Sequence, residues 1–121
     1  MNSLVKKDIQ ELSLQLETHP GRYEAPTKHY FLDGMYCREC FVLAGSIGVG
    51  KIHKKASFNL LTEGTIVVSN GEQEVVLKAP QIFIGNAGKQ KIGHAITDVV
   101  WVNVFRTDTT TVAEAEQELF E

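Results

Sequence analysis

Proline is scarce in this chain, with three residues in 121; cysteine is scarcer, with two, and tryptophan occurs once. Two cysteines cannot build the disulfide framework of a small secreted scaffold. So little proline beside ten glycines excludes collagen-like and proline-rich linker sequences, while 43% hydrophobic and 22% charged residues belong to a chain that folds around a core. No apolar stretch approaches the roughly 20 residues that cross a bilayer. An excess of one charge is missing as well. Twelve Lys and Arg against fifteen Asp and Glu give a net charge of −3, which leaves no global field for nucleic acid or an anionic membrane, so neither is expected as a partner. Residues 1–10 carry Lys6, Lys7 and Asp8 and no apolar block, so a cytosolic setting is expected rather than secretion. The glycine-rich phosphate loop, the nucleophile elbow and the two-histidine zinc helix are all lacking, and no cofactor and no catalytic residue is expected.

What is present reads as helix, many strands, helix. Val5, Ile9, Leu12 and Leu16 recur at helical spacing over residues 4–18, and His19-Pro20-Gly21 ends that pattern. From His29 onward short β-branched and aromatic runs alternate with turn signals. Asp33-Gly34 and Asn70-Gly71 suit the positive φ of two-residue hairpin turns, and strands are expected beside them and over 40–43, 47–54, 58–61, 81–84, 91–97 and 99–105. Eight or nine strands in so short a span indicate a sandwich or barrel. Thr111 and Glu114 form a capping box before a short acidic helix over about 112–120. One domain is expected, with an N-terminal helix and connector over 1–27, a barrel over 28–107 and the C-terminal helix within 108–121.

The informative stretch is Gly50-Lys51-Ile52-His53-Lys54-Lys55 with Asn59. Ala79-Pro80, Ala87-Gly88-Lys89-Gln90-Lys91, Gly93-His94-Ala95, Asp98 with Trp101, and a Glu-rich tail from Glu114 to Glu121 follow in order. This ordered set resembles the cupin superfamily and, more closely, the small cupin-like proteins of tailed bacteriophages. The resemblance implies an all-β, double-stranded β-helix (jelly-roll) barrel between the two helices. In metal-binding cupins a first motif supplies two histidines and a carboxylate, and a second motif supplies another histidine. Here only His53 remains in the first motif; Lys55 and Asn59 stand near the other ligand positions, and Lys91, or Gln90 with a one-residue slip, stands in the second. Protonated amines cannot ligate a cation and repel it, so no metal is expected.

Strand alternation would put Lys51, His53 and Lys55 on one face. With Asn59 and Lys91 they form a candidate ligand-binding set for a phosphate or carboxylate, the amines standing where relatives hold a metal ion. The alternative is that these lysines point outward from an apolar barrel. Cys37-Arg38-Glu39-Cys40 has half of a zinc-knuckle spacing, but on a strand the two thiols face opposite ways, and structural thiols are expected. His94 reads as a packed or surface histidine and Thr97-Asp98 as a hairpin turn. In the last strand Val100, Val102 and Val104 are expected to face the core, and the face carrying Trp101 and Phe105 is either core as well or, by preference, an oligomer contact.

The leading expectation is a non-catalytic, phage-type barrel that acts in assembly as a virion or accessory component or holds a small anion, in the host cytoplasm or the virion. A sponge that sequesters a host anionic metabolite or nucleotide signal is one alternative. A metal-dependent cupin enzyme using His53 with His94 or unplaced carboxylates is the second. Partners would be a second copy, most simply in a homodimer, and other virion proteins or the small anion itself.

Overall fold

The computed structural model describes residues 25–69 and 72–121. The expected N-terminal helix and the Asn70-Gly71 turn lie outside the described residues. Nine strands are present among the described residues: β1 (Thr27–Leu32), β2 (Met35–Val42), β3 (Ile47–Val49), β4 (Ser57–Glu63), β5 (Thr65–Ser69), β6 (Glu74–Lys78), β7 (Gln81–Gly85), β8 (Ile92–Ala95) and β9 (Val99–Arg106). Helix α1 (Val112–Leu119) follows them. All pairings are antiparallel. They make a five-stranded sheet in the order β1-β2-β9-β4-β7 and a four-stranded sheet in the order β3-β8-β5-β6.

The chain crosses between these sheets repeatedly. Asp33 (φ 42°) and Gly34 (φ 80°) turn β1 into β2 within one sheet, as their side chains allow. Gly64 carries β4 of one sheet into β5 of the other at φ 92°, where a Cβ would overlap the Asp98 carbonyl oxygen. Thr97-Asp98 is no hairpin, because β8 and β9 belong to different sheets. Its side chains fasten this crossing instead: Ala44 N–H donates to Asp98 Oδ1 (2.9 Å), and Thr65 N–H donates to Thr97 Oγ1 (2.9 Å).

Two apolar clusters close the space between the sheets at its ends. Tyr36, Phe105, Ala115, Leu119 and Phe120 are buried together with Phe31 packed on them, so α1 plugs one end. Leu61, Ile66, Ala95 and Val99 fill the other end with Val42, Val68 and Trp101 against them. Thr111 caps α1 as expected: its hydroxyl accepts from Glu114 N–H (3.3 Å) and donates to the Glu114 carboxylate (2.8 Å).

Two orientations differ from the sequence reading. Trp101, Asn103 and Phe105 of β9 face inward, and Val100, Val102 and Val104 lie on the outer face. The register places Trp101 beside Cys40 and Asn103 beside Arg38, side chains that turn to the interior. Residues 50–56 do not continue β3, so alternation does not govern Lys51, His53 and Lys55. That segment is tied to the C-terminus, with Lys54 N–H on Leu119 O (2.7 Å) and Glu121 N–H on Ile52 O (3.0 Å).

Candidate functional site

Between the sheets lies a cavity of about 280 Å³. Its floor is a polar layer built by register. Arg38 of β2 pairs with Asn103 of β9, and Asn103 with Asn59 of β4. Asn59 Oδ1 accepts from Trp101 Nε1 (3.0 Å) and from Asn103 Nδ2 (2.5 Å), which fixes the amide's orientation. A Cβ on Gly85 of β7 would overlap the same amide, so this close approach requires glycine there.

Around that layer stand the cations. Arg38 and Lys91 are half-buried and line the cavity, and the more exposed Lys51 and Lys89 stand at its rim. The Phe120 ring is a common landmark: the Arg38 guanidinium carbon lies 4.8 Å from its centroid, Lys51 Nζ 5.3 Å, and the His53 ring 5.1 Å. His53 also meets Phe105 edge-on at 5.1 Å. Lys91 Nζ lies 5.5 Å from the Phe83 centroid. Arg38 Nε is buried and has no hydrogen-bond partner. Burial holds His53 below its ordinary value of 6.5, and the nearby Arg38 and Lys91 charges push the same way; burial alone lowers Lys91.

Of the five residues proposed from sequence, Lys51, His53, Asn59 and Lys91 line this cavity. Lys55 is the correction: it turns outward to α1, where its ammonium pairs with Glu118 Oε1 at 2.5 Å. Glu118 Oε2 accepts from the buried Thr107 hydroxyl (2.6 Å), and the Lys55 bond, with that of Thr107, holds the Glu118 carboxyl below the usual range. Arg38 was missed by sequence reasoning. Its signal was available, since Tyr36, Arg38, Cys40 and Val42 alternate as one strand face, and a lone cation among Tyr, Cys and Val invites a partner from the interior. Of the two thiols Cys40 lines the cavity and Cys37 does not; both are free and half-buried, and burial raises Cys37.

The donor set does not fit a divalent metal. Among the described residues no three His, Cys, Asp or Glu side chains come together. The cavity lining offers one imidazole and one thiol among four cationic side chains, which oppose a second positive charge. No helix among the described residues is long and apolar enough to cross a membrane.

No family model and no curated protein matches the chain. Solved structures do. A cupin-2 domain containing protein from Shewanella frigidimarina is 11% identical, with a TM-score of 0.57, over 80% of this chain and 89% of that one. A cupin superfamily protein from Desulfitobacterium hafniense is 12% identical, with a TM-score of 0.56, over 71% and 82%. A salicylate 1,2-dioxygenase variant from Pseudoaminobacter salicylatoxidans is 14% identical, with a TM-score of 0.62, over 98% of this chain and 40% of that one. The architecture is therefore the cupin fold, an antiparallel β-barrel. At these identities the likeness concerns the fold alone.

Proposed function

We propose that this barrel holds a small anion by means of its own side chains, without a metal and without turnover. One observation carries the reading: Arg38, Lys51, Lys89 and Lys91 line the cavity, and no Asp or Glu does so among the described lining residues, in a protein whose net charge is −3. Cations gathered in a low-dielectric recess attract an anion far more strongly than the same charges spread over a surface. A ligand that binds only the folded chain raises its melting temperature. Inorganic phosphate or acetate at millimolar concentration should raise it by several degrees, and Lys91→Met should abolish most of that rise. No shift with these anions or with a larger carboxylate such as hexanoate would overturn the reading.

A second copy of the chain is the proposed partner, seated on the outer face of the five-stranded sheet. Register aligns Tyr30, Cys37, Val104, Phe58 and Ile84 in one row across all five strands. Val102, Leu60 and Ile82 form the next row, and Phe58, Ile82 and Ile84 are 57%, 71% and 65% exposed. Five strands of about seven residues give a footprint of about 24 by 23 Å, or about 550 Å² in projection, which is short of the roughly 800 Å² that each partner buries in a standard interface and suits a weak dimer. Self-association also suits an accessory role in phage assembly, the finer form of this proposal; recovery of the protein in purified particles is its test.

A further inference from the structure

The cavity is polarised along its length, and the polarity specifies more than a charge. Following the paired residues of β2 and β9 from one end to the other, Tyr36 lies opposite Phe105, Arg38 opposite Asn103, Cys40 opposite Trp101, and Val42 opposite Val99. Arg38, Lys51 and His53 gather at the second step, and Lys91 stands over Phe83, which packs on Trp101 at the third. Arg38, Lys51 and His53 all meet Phe120, and Lys51 follows the point where Gly50 N–H donates to Lys91 O (2.9 Å). The far end carries Val42, Ile66, Val68 and Val99 on the cavity wall, backed by a buried apolar cluster, with no charged residue among them.

We propose that the ligand is an amphipathic organic monoanion: a carboxylate that docks against Arg38 and Lys91, with an aliphatic body that extends past Trp101 to Val42 and Val68. This rests on the anion reading and deepens it. Two further observations support it. Arg38 Nε–H is buried with no acceptor, an expense that an incoming carboxylate oxygen removes. At roughly 30 Å³ per water the cavity holds about nine waters, or a molecule of about ten non-hydrogen atoms, which is far more than a bare acetate occupies. A phosphate alone would leave the apolar end to water that finds few partners there. Wall and head group together describe a short-chain acid.

Hexanoate, acetate, inorganic phosphate and 1-hexanol are the probes, titrated calorimetrically into the full-length protein. Hexanoate should bind one per chain. Its four additional methylenes, at about 0.8 kcal/mol each when buried, set an upper bound near two-hundredfold over acetate, and a gain of tenfold or more supports the inference. Trp101 emission should change with hexanoate and not with phosphate. Arg38→Met should weaken hexanoate by tenfold or more; Arg38→Lys, which keeps the charge and loses the Nε–H, covers the case in which the methionine variant fails to fold and should weaken it less. If acetate and phosphate bind as tightly as hexanoate, the amphipathic ligand is overturned and the anion reading survives. If 1-hexanol binds as tightly as hexanoate, or nothing binds, both are overturned.

Discussion

His53 was the residue most visible in the sequence, and its setting explains what it does instead of ligating a metal. Its ring sits between Phe105 and Phe120, faced by Arg38 from β2 and by Lys91 before β8, while Lys51 and Glu116 pair at 3.9 Å beside the same Phe120 ring. A neutral imidazole suits this site and an imidazolium does not. The folded-state pKa is depressed, so the stabilising contribution is present above the unfolded value of about 6.5 and is lost as pH falls below it toward the folded value. The melting temperature should therefore fall from pH 7.5 to pH 5 by more in the native protein than in His53→Gln, as scanning calorimetry can show. An equal fall in both would show that His53 does not carry the effect. Arg38 was harder to see. It stood inside a two-cysteine spacing that draws attention to zinc, and only the alternation of its strand reveals it as a cation aimed inward.

At the scale of elements, legibility followed local chemistry. The Asp33-Gly34 turn, the Thr111 cap and most strands could be read because each depends on a few neighbouring residues. The segment after β3 could not, because its partner is the distant C-terminus: the His53 to Phe120 bridge and the Lys54 to Gln117 bond (3.0 Å) pull it out of the sheet. That is why Lys55 meets Glu118 and not the cavity. Lys55→Met should consequently leave hexanoate affinity unchanged within twofold, whereas Lys91→Met should lower it at least tenfold; calorimetry on both variants compares them directly. Helix α1 is the part of this arrangement most open to perturbation. Thr111→Ala should destabilise the protein by about 1 kcal/mol through the lost cap. Phe120→Ala should cost about 3–5 kcal/mol through the emptied core, and it also removes the ring on which Arg38 and Lys51 rest. Chemical denaturation measures both, and a Phe120→Ala cost below that of Thr111→Ala would contradict the buried plug.

For the whole molecule, the number and spacing of strands already pointed to a barrel, and the ordered short motifs pointed to the cupin fold. The orientation of β9 was not legible, because both of its rows carry apolar residues and Val and Trp each suit either face. With Trp101 turned inward, the exposed apolar side chains of this sheet lie on its other face, at Phe58, Ile82 and Ile84. If that face is a dimer interface, light scattering after gel filtration should give twice the 13.4 kDa chain mass, and Phe58→Asp with Ile84→Asp should give the single-chain mass with the fold intact. A monomeric native protein would remove the proposed partner and leave the cavity argument untouched. Occupancy of the cavity is read most directly from one resonance, the Arg38 Nε–H proton, followed by NMR in chelator-treated protein as hexanoate is added. Saturation at one equivalent, with a downfield shift and slowed exchange, is the expected result; a resonance that does not move, together with uptake of one zinc or manganese ion per chain at His53, would contradict it.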